Sequence, residues 1–199
     1  MQFFRSMTAA LGALLMLSAM PAFANKLVVP GVRVAVSKSQ MMVTPDREWN
    51  RLSYRPGKNA ELWTLDGDGL NSLTFFGGVP SGVTLFRDVA RKVRPLPPFS
   101  STMLLTDIPT LLENSLRITL STTLISVSSI TPAEFAGNKG IRFAYAFTQS
   151  DGVCRNGEAT ATIVKGKLYM ITYEAPVIFY FDRNLANYRA VAQSAKIGS

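Results

Sequence analysis

The sequence has 199 residues, of which 21 are basic, 13 acidic and 47% hydrophobic, and its net charge is +8. This length is typical of one globular domain that buries its own core. The chain has no histidine and one cysteine, Cys154, which excludes Ser-His-Asp and Cys-His catalysis and histidine-based zinc or haem sites. We therefore expect no cofactor and no metal. An enzyme with this composition would have to use carboxylates, Lys, Tyr or Ser.

Residues 1–24 have the three parts of a secretory signal peptide. An apolar segment over residues 7–20 follows a short basic start and precedes the small-x-small pattern of residues 22–24. We expect cleavage after residue 24, a periplasmic or secreted location, and a single α+β domain over 25–199. An uncleaved membrane anchor is the alternative, but the segment approaches the length of a membrane span only if it includes Pro21.

The first part of the mature chain predicts a hairpin and a short helix. Residues 27–44 contain valines at every second position from Val32 to Val36, which indicates extended strands. Thr44 followed by Pro45 is typical of a helix start, and Pro56-Gly57 would end that helix. In this helix three arginines, spaced four residues apart, would lie along one side. They are Arg47, Arg51 and Arg55.

Two strands, at 60–65 and 72–76, are predicted around the turn Asp66-Gly67-Asp68-Gly69. Residues 79–102 contain four prolines and predict a long loop with one helical turn at 86–93. Long loops within a compact domain are often functional.

The second half predicts a helix, four strands and a final helix. Thr106 or Asp107 would cap the middle helix, which should end by residue 119. Its apolar side chains form a stripe along one face. Strands follow at 123–131, 141–148, 159–164 and 168–175, and the last three form an antiparallel meander. Asp182 would cap a C-terminal helix. The predicted fold is α+β, with a mainly antiparallel sheet flanked by the two helices.

The C-terminal sequence resembles that of known proteins. The run from Gly166 to Pro176, followed by Phe181-Asp182 and a helix ending in residues 193–195, resembles the closing strand and helix of PsbP-like and DcrB-like proteins. Residues 48–51 and 61–67 resemble a group of uncharacterised exported bacterial proteins. The first resemblance implies a small α/β/α sandwich and an accessory or binding role more often than an enzyme. It supplies no active-site motif, so no functional residue carries over.

Three carboxylates are candidates for chemistry. Asp66, Asp68 and the side chain of Asn71 could form a loose calcium site, although the loop lacks the ligand positions of an EF-hand; a polar turn is the favoured interpretation. Glu61 and Asp66 could act as the acid–base pair of a hydrolase, and a solvated strand end is the simpler interpretation.

A second group of candidates is basic. Four cationic residues lie within eight positions: Arg87, Arg91, Lys92 and Arg94. Together with Arg47, Arg51 and Arg55 they could bind lipid headgroups, acidic glycans or an acidic protein, and solvated charge is the favoured alternative. The apolar run at 178–181 is assigned to the core, with an exposed docking patch as the alternative.

These observations favour an exported, non-catalytic accessory or binding protein of the bacterial envelope, with an envelope protein or an acidic glycan as partner. One alternative is a carboxylate-dependent hydrolase of an envelope glycan. The other is a peripheral protein that binds anionic membranes. We expect no nucleic-acid partner, because the predicted signal peptide directs the chain out of the cytoplasm.

Overall fold

The structure is a computed structural model, and it describes residues 25–88, 90 and 92–198. The predicted signal peptide and Arg91 of the basic group lie outside the described residues. The described chain forms one α+β domain, as predicted, with an eight-stranded antiparallel sheet, a three-stranded sheet and two α-helices. Neither of these helices is long and apolar enough to cross a membrane.

Short strands come first and last in the chain, and the longer strands lie between them. The elements are β1 (Lys26–Val28), β2 (Val34–Ala35), β3 (Met41–Val43), β4 (Trp49–Arg51), β5 (Ala60–Thr64), β6 (Ser72–Val79), α1 (Ile108–Thr119), β7 (Ile125–Phe135), β8 (Asn138–Thr148), β9 (Cys154–Val164), β10 (Lys167–Pro176), α2 (Tyr180–Gln193) and β11 (Lys196–Ile197). The large sheet has the order β1-β4-β5-β6-β10-β9-β8-β7, and the small sheet the order β11-β3-β2.

Both faces of the large sheet are covered, which makes the domain an α/β/α sandwich. On one face α1 and the long loop before it bury a core that includes Phe76, Leu112 and Phe143. On the other face α2 and the small sheet bury a core that includes Trp63 and Tyr188. The two cores form because successive side chains of a strand point to opposite faces. The central strands β5, β6 and β10 are therefore buried along most of their length.

The structure confirms most of the predicted elements. The strands around the 66–69 turn, the meander of β8, β9 and β10, and α1 all form where expected. The hairpin within 27–44 also forms, because β2 pairs with β3. In the long loop, the carbonyl of Ala90 accepts hydrogen bonds from the N–H groups of Val93 and Arg94, which makes a single turn.

The predicted helix after Thr44 is wrong. Residues 49–51 form β4, which pairs with β1 on one side and β5 on the other. Trp49 lies opposite Val28 and is fully buried. The burial of this indole in the sheet outweighs the local helix-start signal, because burying a large aromatic side chain is worth more than a cap.

Candidate functional site

Glu61 is a buried hydrogen-bond acceptor on β5, with 1% of its surface exposed. Its Oε2 accepts the backbone N–H of Ser37 at 2.9 Å and Nη2 of Arg51 at 2.6 Å. Arg55 Nη2 lies 3.4 Å from the same oxygen, and Trp63 Nε1 donates to Oε1 at 2.8 Å. Both carboxylate oxygens are therefore engaged, and the side chain joins the β2–β3 turn, β4 and β5.

The three arginines predicted along a helix do not form a stripe. Arg51 and Arg55 both lie against Glu61, whereas Arg47 is exposed in the loop before β4. Their spacing of four residues has no meaning here, since this part of the chain is extended.

Asp66 fastens the turn between β5 and β6 to α2. Its Oδ2 accepts hydrogen bonds from the side-chain amides of Asn71 and Asn184, and its Oδ1 lies 3.3 Å from Nη1 of Arg183. The amide oxygen of Asn71 accepts hydrogen bonds from the hydroxyl of Thr64 and from a backbone N–H. These contacts occupy the Asp66 and Asn71 side-chain oxygens that a calcium site would need.

The structure does not bring the candidate carboxylates together around a common partner. Glu61 and Asp66 are held by separate groups of side chains, and Asp68 is exposed in the turn. Within residues 25–88, 90 and 92–198, no group of three His, Cys, Asp or Glu side chains is arranged to hold a metal ion.

The described members of the second basic group lie near the end of α1. Arg87, Lys92 and Arg94 are exposed. Arg87 and Arg94 line a cavity of about 180 Å³ between the long loop and α1, and Arg94 Nη1 donates to the hydroxyl of Ser121 at 3.4 Å. Two of the four residues are thus neighbours around one cavity, and their capacity to bind anions stays a prediction.

Three consecutive exposed apolar side chains lie between β10 and α2. Val177, Ile178 and Phe179 are 44%, 85% and 64% exposed, and we call these three residues the tip. The assignment of the run to the core is wrong for Ile178 and Phe179, and holds only in part for Tyr180 and Phe181, which pack at the margin of the α2 core.

The tip has a backbone conformation that few aromatic residues adopt. Phe179 has a φ of +72° and occupies the N-cap position of α2, which begins at Tyr180. Asp182 therefore lies in the first turn of α2 and is not its cap. A left-handed conformation at a bulky residue is strained, and such strain is found most often at functional positions.

Contacts from neighbouring segments hold the tip in place. The Arg183 guanidinium lies 5.1 Å from the centre of the Phe179 ring, a cation–π contact, and Arg183 is itself held by Asp66. The N–H of Val177 donates to the carbonyl of Cys154 at 3.0 Å. The tip is thus exposed but ordered.

A polar cavity lies at the same end of the sheet, beside Glu174 of β10. It has a volume of about 300 Å³, and its lining includes Asp68, Ser72, Gln149, Arg155 and Glu174. The sequence pattern indicates only Asp68 and Asn71 among its lining residues, and for a different kind of site, because the lining comes from four separate segments of the chain.

Glu174 contacts Tyr145 across an intervening strand. Tyr145 is opposite Gly157, and Gly157 is opposite Glu174. The tyrosine ring crosses the bare backbone of Gly157, where a Cβ would lie 2.2 Å from the ring, and Tyr145 Oη donates to Glu174 Oε1 at 2.7 Å. The glycine is required for this contact.

Burial dominates the electrostatics of this pair. Desolvation raises the pKa of Glu174, and the Tyr145 hydrogen bond and the nearby Arg155 charge offset only part of this rise. Desolvation also raises the pKa of Tyr145 well above its ordinary value. Arg155 binds both oxygens of Asp151, and this pairing lowers the pKa of Asp151 to about 2.

No protein-family model matches the sequence, and no curated protein matches it. Similar folds exist among solved structures. Cyanobacterial PsbP (CyanoP) from Synechocystis matches over 92% of this chain and 99% of its own, with 13% identity and a TM-score of 0.54. LpqN of Mycobacterium tuberculosis, involved in cell envelope biogenesis, matches over 92% and 88%, with 7% identity and a TM-score of 0.40.

The Ran-binding protein Mog1p of Saccharomyces cerevisiae matches over 88% of this chain and 96% of its own, with 8% identity and a TM-score of 0.46. Identities this low are evidence of fold alone. The match to cyanobacterial PsbP confirms the resemblance inferred from the C-terminal strand and helix, and the chain has a PsbP-like α/β/α fold.

Proposed function

We propose that this protein is an exported, non-catalytic accessory protein of the bacterial envelope that docks a protein partner through the tip. The observation that carries the proposal is the exposure of three consecutive apolar side chains, Val177 to Phe179, on an ordered and strained turn. Apolar groups held in water at an ordered position are typical of interaction surfaces.

The order of the tip favours binding. Phe179 is fixed by Arg183, and Arg183 by Asp66, so little side-chain entropy remains to be lost when a partner covers the ring. Rigid aromatic anchors that enter a pocket of the partner supply much of the binding energy at protein interfaces.

The charge around the tip favours a protein over an anionic membrane. Asp66 is paired with Arg183 beside the Phe179 ring. Asp182 lies in the first turn of α2 and has no ion-pair partner among the described residues. The local excess of negative charge contrasts with the net charge of +8 of the chain. An apolar pocket with a basic rim complements this surface, whereas anionic lipids would be repelled.

The PsbP-like fold and the predicted signal peptide support an accessory role in the envelope. The predicted hydrolase finds less support, because Glu61 and Asp66 already have all their oxygens in contact with protein donors. Peripheral membrane binding requires another surface, such as the one around Arg87 and Arg94.

Crosslinking in intact cells with a C-terminally tagged protein tests the proposal. Ile178→Asp should abolish the crosslink to the partner, and Leu104→Asp should not. Leu104 is the matched control, because it is 68% exposed but precedes α1, which begins at the opposite end of the sheet. A charge-reversal variant of Arg87, Lys92 and Arg94 tests the other surface.

The results separate the alternatives. Loss of one defined crosslink in Ile178→Asp alone supports docking through the tip. Loss of the crosslink only in the charge-reversal variant assigns docking to the surface around Arg87, Lys92 and Arg94 and contradicts the proposal. An unchanged crosslink in all three variants contradicts docking through the tip and docking through the surface around Arg87 and Arg94.

A further inference from the structure

The cavity beside Glu174 contains polar groups that the protein itself leaves available. Ser72, Gln149 and Asp68 line it. Ser72 and Gln149 are half-buried and Asp68 is exposed, and none of these three side chains has a hydrogen-bond partner among the described residues. Tyr145 engages only Oε1 of Glu174. These groups are therefore accessible to a ligand that enters the cavity.

The arrangement around Glu174 is specific and unfavourable for stability. It needs a glycine in the middle of β9, where glycine weakens a strand, and a carboxyl group in a desolvated position. Arg155, which lines the cavity, is held by Asp151 on both carboxylate oxygens and does not form an ion pair with Glu174. Sites that bind ligands commonly accept such a loss of stability.

The available groups mix donors and acceptors. The hydroxyl of Ser72 and the amide of Gln149 can each donate and accept, Asp68 accepts, and Glu174 accepts or donates according to its protonation. Vicinal hydroxyl groups have the same mixed character, since each donates one hydrogen bond and accepts others. We propose that this cavity binds an uncharged, hydroxyl-rich ligand of one or two sugar rings, with Glu174 as its central contact.

Other ligand classes fit less well. An anion would meet Asp68, and the charge of Arg155 is already balanced by Asp151. An aromatic or apolar ligand would leave the carboxylates without partners, which is costly in a half-buried site. The volume of about 300 Å³ lies at the lower end of the range of small-molecule pockets, as expected for one or two rings.

This inference is independent of the tip. Glu174 and Ser72 belong to the face of the sheet that α1 covers, whereas α2 packs on the other face. Both sites lie at the end of the molecule where β10 terminates, but Ile178 is not part of the cavity lining, and Glu174 and Gln149 are not part of the tip.

Titration of the isotope-labelled protein with chitobiose, cellobiose and maltose, followed through backbone amide resonances, tests the proposal. We expect at least one disaccharide to shift the resonances of Ser72, Gln149 and Glu174 together. Glu174→Ala and Gln149→Ala should each weaken binding by about tenfold, the effect of losing one good hydrogen bond of about 1.4 kcal/mol. Glu113→Ala is the control, since Glu113 lies on α1 and pairs with Arg117.

Gln149 lies in the loop between β8 and β9, so its substitution tests the site without changing the sheet. The proposal is overturned if none of the three sugars shifts these resonances. It is also overturned if the shifts cluster elsewhere, or if both cavity variants bind as tightly as the wild type.

Discussion

Removal of the Glu61 side chain should cause a large loss of stability. In Glu61→Ala four contacts disappear at once, from Ser37, Arg51, Arg55 and Trp63. The consequences differ between these donors, because two of them are buried and two are partly in water.

The magnitude follows from this difference. The backbone N–H of Ser37 and Nε1 of Trp63 are buried, and each would lose its partner at about 1–3 kcal/mol. The Arg51 and Arg55 side chains are 28% and 24% exposed, so they can recover part of their hydration and add less. We expect the free energy of unfolding to fall by about 3–5 kcal/mol, the range for breaking a buried charged pair. This is a large part of the stability of a typical domain.

Urea unfolding, monitored by tryptophan fluorescence and circular dichroism, measures this change. Glu61→Gln is the matched control, because the amide keeps the volume and one acceptor and should cost less than Glu61→Ala. A loss below about 1 kcal/mol in Glu61→Ala would refute the view that Glu61 braces the fold. Full stability in Glu61→Gln combined with loss of hydrolysis of a glycan would instead favour the hydrolase.

Three further predictions concern the two helix-covered faces. The pKa of Glu174 is raised in the folded protein, so this residue destabilises the fold as the pH rises above about 4, where Glu174 ionises first in the unfolded chain. Glu174→Gln should therefore have a higher melting temperature than the wild type at pH 7 but the same melting temperature near pH 4. A lower melting temperature for the variant at pH 7 would contradict this. Gly157→Ala should lower the free energy of unfolding by about 1–3 kcal/mol through overpacking against Tyr145, and equal urea midpoints would show that the ring moves freely. Tyr188→Phe should cost about 1 kcal/mol in the same assay, because the hydroxyl is buried against Thr160 at 2.9 Å, and no change would mean that water replaces this bond.

The elements that the sequence predicts well are those with a local periodic pattern. In β8, apolar side chains from Ile141 to Phe147 alternate with smaller or polar ones, and the structure buries the apolar set. In α1, Ile108, Leu111 and Leu112 follow the helical spacing and pack on one core. These patterns are decided within a few residues, so no knowledge of distant partners is needed.

The secondary-structure prediction fails where contacts with residues distant in sequence determine the conformation. Trp49 follows a good helix-start signal, but its burial in the sheet depends on the pairing of β4 with β1 and β5. The residues around position 49 do not indicate which strands pair with this segment.

Candidate sites were harder to predict than the fold for the same reason. The contact between Tyr145 and Glu174 joins residues that are 29 positions apart and requires the register of three strands, with Gly157 in the middle. The contact between Asp66 and Asn184 spans 118 positions. The local signals for these sites were the acidic turn at 66–69 and the continuous apolar run after Pro176.

Asp66 lies at a candidate site, as the sequence indicated, but its role is structural and not catalytic or metal-binding. It was singled out because carboxylates can carry acid–base chemistry or bind calcium, and its oxygens are instead taken up by Asn71, Asn184 and Arg183. Through Arg183 it fixes the ring of Phe179, a residue that charge could not indicate. A carboxylate that orders an exposed aromatic side chain contributes to recognition without touching the partner, since it lowers the entropy that docking must overcome. Asp66 and Arg183 thus order the tip, and the tip is the surface that we expect to bind the partner.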